Sequence, residues 1–263
     1  MGCSRAETPT PTPAPVQIRV ASDAAALPLM RALTDAYAAA QPNTNFVLEW
    51  GNAPAAMEAM RLGRAQLGIV SVLPSTINQG TGNQNKPWFT DLATDSLVVI
   101  VNPQNKLNNL STFELREIYA GSRSRWRDID PTLTGDIDLG AREANDPTRV
   151  LFESVVMNKL APSPNAIVLP SIDVMLNFVA LQPAAIGYVP ASRVFNEPRV
   201  KIIRIDDTLP SPDTLNSGSY HMPMPIYFMA NSEPQDEVRK FVAWAVGPNG
   251  QAVATKLGYS PIK

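Results

Sequence analysis

The chain of 263 residues contains one histidine, His221, and one cysteine, Cys3. A lone histidine argues against a histidine-based catalytic triad or a His-ligated metal site. A general base working near neutral pH would have to be a perturbed carboxylate or lysine. A lone cysteine belongs to no disulfide framework and no zinc pattern. Charge is sparse as well: Asp, Glu, Lys and Arg make up 17% of the residues and the net charge is −2. Soluble domains usually carry about 25%, and a balance so close to neutral gives no footprint for nucleic acid or a polybasic membrane face. There is no apolar run of about 18 residues, hence no expected transmembrane helix and no intact secretory h-region. The chain also has no nucleophile elbow, no phosphate-cradling Gly-Lys-Ser/Thr loop and no metal-spaced cluster. Neither an enzyme nor a cofactor is expected. What is present is an apolar fraction of 44%, enough for a core in one large domain or two of ordinary size.

The lone cysteine has a distinctive setting. Gly2-Cys3-Ser4 is followed by Thr8-Pro9-Thr10-Pro11-Thr12-Pro13-Ala14-Pro15. This resembles the start of a mature bacterial lipoprotein, in which the cysteine after a small residue takes the lipid and a Pro/Thr spacer serves as tether. The resemblance implies an extracytoplasmic protein, exported by a signal segment and anchored to the bacterial cell membrane through lipidated Cys3. The alternative is a surface thiol in a disordered tail. Residues 1–15 are read as linker.

From there the pattern alternates. Val16, Ile18 and Val20 mark a half-buried strand over 16–21, and strands are also expected over 46–50 and 67–72. Helices lie between them, one carrying Leu29, Leu33, Ala36 and Tyr37, the next spanning 53–62 with Met57 and Met60 inward. Strand–helix–strand–helix–strand implies parallel strands with helical crossovers. Ligands of such sheets bind beyond the carboxyl ends of the strands, here Ser22-Asp23, Gly51-Asn52 and Ser71. A polar loop is expected over 73–90. The strand over 95–101 is the most hydrophobic in the chain and reads as buried on both faces. Ser111 and Glu114 form a capping box for a helix with Leu115, Ile118 and Tyr119 that ends at Gly121. Residues 123–130 read as a solvated loop with a packed Trp126, or as a basic lip facing a ligand. Further strands are expected over 136–140, 166–169, 185–189, 200–205 and 223–230. Ser171 caps a helix with Met175, Phe178 and Val179 inward. Ser232 and Gln235 suggest a second capping box before Val238, Phe241, Val242 and Ala245. A short helix over 251–257 follows.

Two strands, over 97–101 and 226–230, read as crossings between lobes. The expectation is two α/β lobes, one from 16–95 plus 228–263 and the other from 96–227, with a ligand between them and the crossings as hinge.

One stretch concentrates the chemistry: Arg142-Glu143-Ala144-Asn145-Asp146-Pro147-Thr148-Arg149. It joins a strand to a helix carrying Leu151, Phe152 and Val155. A helix start attracts anions through its free N–H groups, and arginine adds a planar fork suited to an oxyanion. Each residue has a second reading. Arg142 binds an anion or pairs with a neighbouring carboxylate. Arg149 binds an anion or pairs with Glu153 at i+4. Thr148 donates to a ligand or caps the helix. Asp146 is the cap, or it selects a protonated oxyanion or a ligand bearing N–H or O–H donors. Ser22, Asp23, Asn52 and Ser71 are the candidates on the first lobe. Tyr188 and Tyr220 pack in the core or line the cleft.

The chain resembles the substrate-binding proteins of phosphate ABC transporters, in the type II periplasmic binding protein superfamily. The landmarks are Asp95-Ser96-Leu97-Val98-Val99-Ile100-Val101-Asn102-Pro103; Leu110-Ser111 through Leu115, Ile118-Tyr119 and Gly121 to Trp126; Arg142-Glu143, Thr148-Arg149 and Phe152-Glu153; Ala185-Ile186-Gly187-Tyr188-Val189; and Phe241-Val242, Gly250-Gln251, Gly258-Tyr259 and Pro261. The resemblance covers nearly all of 16–263. It implies a two-lobe α/β fold, each lobe a mixed, mostly parallel sheet flanked by helices, that closes on a small anionic solute such as phosphate. It also implies a monomer that delivers its ligand to a membrane permease and binds no nucleic acid. The family pattern at the focal turn is Arg-Glu-x-Gly-Ser-Gly-Thr-Arg, with hydroxyls and glycine amides donating to phosphate. This chain has Asn145, Asp146 and Pro147 where that pattern has Gly, Ser and Gly. Pro147 removes an amide donor, and an ionised Asp146 can only accept.

Overall fold

The structure, a computed structural model, describes residues 15–71 and 87–262. Cys3, most of the expected tether and most of the polar loop expected over 73–90 lie outside the described residues.

The first half-sheet follows from alternation. β1 (Val16–Asp23) buries Ile18 and Val20, and its last four residues are all buried. α1 (Leu27–Ala40) lays Leu29, Met30, Leu33 and Tyr37 on the sheet. β2 (Thr44–Gly51) pairs parallel with β1. α2 (Ala53–Arg61) follows, capped by the Asn52 side chain. The fully buried β3 (Leu67–Val70) pairs parallel on the other side of β1. The carboxyl ends of β1, β2 and β3 therefore open on the same edge.

β4 (Trp88–Val101) is a single 14-residue strand. It begins three residues inside the loop expected over 73–90, because Trp88, Phe89 and Thr90 pair with Ala230, Met229 and Phe228. After it come β5 (Asn109–Leu110) and α3 (Thr112–Ala120), the latter closed by Gly121 at φ 81°. A 3-10 turn over Trp126–Asp128 buries the Trp126 ring, as the packed-loop reading requires. β6 (Asp138–Arg142) lies two residues later than expected. Its register is set by parallel pairing with the next two long-range partners, while Asp136 bridges to Arg125 instead. α4 (Pro147–Val155), β7 (Ile167–Leu169), α5 (Ile172–Leu181) and β8 (Ala185–Pro190) continue the alternation. β6 pairs parallel with both β7 and β8. The strand expected over 200–205 divides: β9 (Lys201–Ile202) pairs with β4, whereas β10 (Arg204–Ile205) turns away to pair with β5.

A short α6 (Pro212–Asn216) leads to β11 (Pro223–Ala230), then α7 (Asp236–Val246), α8 (Pro248–Lys256) and β12 (Ser260–Pro261). The capping box expected from Ser232 and Gln235 does not form. The chain enters α7 only at Asp236, with no side-chain cap. Pro234 disfavours helical backbone at the residue before it, which delays the start.

The main sheet runs β2-β1-β3-β11-β4-β8-β6-β7. β4 is its seam. Residues Trp88 to Ser96 pair antiparallel with β11, and Leu97 to Val101 pair antiparallel with β8. Core residues sort on either side of that seam. Ile18, Leu29, Leu33, Leu67, Ile69, Leu92, Phe228 and Phe241 pack together on one side. Leu97, Val99, Leu115, Tyr119, Trp126, Phe152 and Tyr188 pack together on the other. Strands buried on both faces, such as β3 and β8, are those covered by helices on each side.

Candidate functional site

At the carboxyl end of β1 the chain buries a carboxylate. Asp23 has no exposed surface. Its Oδ1 accepts the Ala26 N–H at 2.9 Å, and its Oδ2 accepts the Ser71 N–H at 2.6 Å and the Ser71 hydroxyl at 2.9 Å. Asp23 thus ties the entry to α1 to the end of β3. Ser22 turns its hydroxyl onto the Asp23 carbonyl oxygen at 2.9 Å. Burial pushes the Asp23 carboxyl above the usual carboxylate range. The Ser71 and Ala26 donors oppose this, and the nearby charge of Asp146 adds to it. Asn52 is exposed at the end of β2, where its Oδ1 caps α2 through the Ala55 N–H at 2.9 Å.

The facing element is the β6–α4 junction. Asp146 is the N-cap of α4 in extended backbone. Its Oδ1 accepts the Thr148 N–H at 2.9 Å and also the Thr148 hydroxyl. Its Oδ2 accepts from Arg142 Nη2 at 2.6 Å. Arg142 also donates from Nη1 to the Leu169 carbonyl, while its backbone N–H donates to the Tyr188 hydroxyl at 3.2 Å. Arg149 donates to Glu153 at 2.7 Å and from Nη1 to the Arg142 carbonyl at 2.9 Å. Both arginines therefore take the carboxylate-partner alternative, and Asp146 takes the cap. Tyr188 and Tyr220 are core: Tyr188 stacks on Phe152 at 4.3 Å, and Tyr220 donates to the Leu97 carbonyl at 2.7 Å.

Ser22, Asp23 and Ser71 form one buried polar group and Arg142, Asp146 and Thr148 another, and the charge of Asp146 reaches the Asp23 carboxyl. Asn52 and Arg149 stay apart, in their own local bonds. A third group joins them that sequence reasoning did not single out. Asp95, on the seam strand, accepts the Ser96 N–H at 2.7 Å, the Ser192 N–H at 3.1 Å and the Ser192 hydroxyl at 2.5 Å. Burial raises its carboxyl to about 6, against the pull of those donors. The buried Tyr259 hydroxyl lies against Ser192 and feels both Asp95 and Asp23, yet completes no hydrogen bond of its own among the described residues. The available signal was Asp95 itself, a carboxylate at the head of the most hydrophobic run.

These groups offer hydroxyls, amides and one buried guanidinium beside acceptor carboxylates. They can hold a small polar solute by hydrogen bonds. Among the described residues no group of His, Cys, Asp or Glu side chains is placed to hold a metal ion.

The model of the PBP superfamily domain matches residues 8–249. The chain belongs to the PBP superfamily. Within it, the chain is 23% identical over 184 residues to the phosphate-binding protein PstS of Borreliella burgdorferi, covering 66% of each. It is 30% identical over 145 residues to phosphate-binding protein PstS 2 of Streptococcus agalactiae, covering 51% of this chain and 49% of that one. The matched segments thus span 66% and 49% of these relatives' own length. Among solved structures, an ABC-type phosphate transport receptor from Vibrio cholerae superposes with a TM-score of 0.76 at 24% identity, over 93% of this chain and 100% of that one. A substrate-binding protein from Clostridium perfringens, crystallised with bound phosphate, superposes with a TM-score of 0.83 at 19% identity, over 94% and 100%. These likenesses establish the fold expected from the sequence, the two-lobe α/β fold of a periplasmic binding protein. PBP-superfamily proteins of this kind are solute-binding proteins.

Proposed function

We propose that the protein is an extracytoplasmic solute-binding protein of an ABC transporter that captures phosphate or a similarly small oxyanion. In this reading the lobes 16–95 plus 228–263 and 96–227 close over the solute, and the monomer presents it to a membrane permease. Cys3 carries the lipid that keeps it at the membrane. No chemistry is performed on the solute.

The observation that carries the reading is the meeting of Asp23 with the Arg142–Asp146–Thr148 group at the start of α4, near enough for Asp146 to act on the Asp23 carboxyl. Helix N-termini and arginine forks favour oxyanions. Calorimetric titration of the protein with phosphate, sulfate, molybdate and a set of organic acids tests this. Heat with phosphate supports it, and silence at millimolar phosphate overturns the phosphate reading. A second reading keeps the scaffold and changes the solute to another small molecule, or makes the protein a ligand sensor. The capture of Arg142 and Thr148 by Asp146 favours it, and heat with an organic solute alone would establish it. Detergent-phase partitioning of the cell-expressed protein, lost on Cys3→Ser, tests the lipid anchor.

A further inference from the structure

Asp146 does more than cap a helix. Three donors converge on its carboxylate: the Thr148 amide at 2.9 Å, the Thr148 hydroxyl, and Arg142 Nη2 at 2.6 Å. An amide at a helix start, a hydroxyl and a guanidinium are the set with which a protein holds an external oxyanion. The group is also dry. Arg142, Asp146 and Thr148 are 3%, 7% and 0% exposed.

An oxyanion arriving at these donors meets a like charge already seated on them. Sharing the donors would place two negative groups a few ångström apart in a desolvated site, which is strongly unfavourable. Asp23 faces the same region as a further acceptor, with its own oxygens bonded to Ser71 and Ala26. The guanidinium keeps one unused donor: Arg142 Nε is buried and has no hydrogen-bond partner among the described residues. The cation is therefore only partly satisfied by the internal carboxylate, and an oxyanion that could reach Nε as well would offer it more.

We propose that Asp146 is an intramolecular anion seated in the oxyanion site of the cleft, and that a solute binds by displacing it. The inference rests on the reading of the cleft as an oxyanion site and adds what governs its affinity. Displacement breaks the three bonds at Asp146, and the incoming oxyanion takes over the Thr148 and Arg142 donors. Asp146 thereby weakens binding of every oxyanion and leaves only those that recover the lost bonds. Removing its charge opens the site and leaves a folded protein whose stability responds to added anion.

The full chain, Asp146→Asn, Asp146→Ser and the double variant Asp146→Asn with Thr148→Val are titrated with inorganic phosphate and with sulfate, by calorimetry and by thermal shift. Asp146→Asn keeps the size of the side chain and an acceptor for the Thr148 amide, so it carries the measurement if the serine variant does not fold. The expected result is at least tenfold tighter phosphate binding by Asp146→Asn than by the native chain. A larger anion-induced rise in Tm should accompany it, and adding Thr148→Val should abolish both gains. Equal affinity in the native and Asp146→Asn chains overturns the inference. So does tighter binding by the native chain, which would make Asp146 a ligand-contacting group and leave the oxyanion reading standing. Failure of all four chains to bind either anion overturns both.

Discussion

Asp95 shows how one buried group gives the fold a pH dependence. Burial lifts its folded-state carboxyl from 3.8 to about 6. A raised carboxyl binds its proton more tightly in the folded state, so the folded protein holds more protons than the unfolded chain across this window. The contribution of Asp95 to stability is fully present below about pH 4. It falls as pH rises and is lost above about pH 6. Two pH units correspond to roughly 3 kcal/mol. Asp95→Asn removes the titration while keeping the geometry. The amide oxygen still accepts the Ser96 and Ser192 N–H groups, and the amide nitrogen donates to the Ser192 hydroxyl. The variant should therefore be more stable than the native protein at pH 8, with the difference shrinking towards zero near pH 4. Denaturant unfolding of both chains across this range checks it, and a pH-independent difference would sink it. Asp23 shifts in the same direction, so only the difference between the two chains isolates Asp95. This cluster was not legible in the sequence because its members, Asp95, Ser192 and Tyr259, are far apart in the chain and carry no local pattern. The 142–149 turn was legible as a polar strand–helix junction. Its internal pairing was visible only as one of two alternatives, since spacing alone cannot say whether a guanidinium faces a carboxylate or a solute.

Helix starts divide along similar lines. Ser111 and Glu114 read as a capping box and form one. The Ser111 hydroxyl accepts the Glu114 N–H at 3.1 Å, and Glu114 accepts the Ser111 N–H at 2.9 Å. Ser232 and Gln235 have the same spacing and do not cap α7: Pro234 disfavours helical backbone at Glu233, and Gln235 is itself extended. A local motif is reliable where nothing within it restricts the backbone otherwise. The predicted cost of Ser111→Ala is about 1 kcal/mol, the usual value of such a cap, read as a shift in urea midpoint at unchanged slope. Ser232→Ala should cost less than half as much, and equal costs would show that the two helix starts are not distinguished by capping. Strand ends were less legible than helix caps. β6 and the β9–β10 pair take their bounds from partners distant in sequence, and no residue within them announces where pairing stops.

Across the whole molecule, the alternation of strands and helices made the two-lobe fold legible, and the hydrophobic run over 95–101 marked where one sheet hands over to the other. What the pattern could not give is that this run is only half of β4. Trp88 to Ser96 belongs to the sheet with β11, and Leu97 to Val101 to the sheet with β8, in one unbroken strand. Leu92 and Ala93 lie in one core, while Leu97, Val99 and Val101 lie in the other. Neither core can dissolve without exposing one end of a strand that the other needs in place. β12 near the C-terminus adds to this by pairing with β4 at Thr94 and Ala93, close to the handover. Chains of this size often unfold in steps, but a shared seam predicts a single transition. The four tryptophans allow the test, since Trp126 alone lies in 96–227 and Trp50, Trp88 and Trp244 lie outside it. Trp126 is buried and its indole N–H donates to the Ala184 carbonyl at 3.0 Å, so its emission reports that core directly. In a Trp126→Phe variant fluorescence follows the other lobe, and in a variant with only Trp126 it follows this one. Both should unfold at the midpoint seen by far-UV circular dichroism in the same sample. Separated midpoints would mean that the seam does not couple the lobes, and that each half of β4 can hold its own sheet when the other is gone.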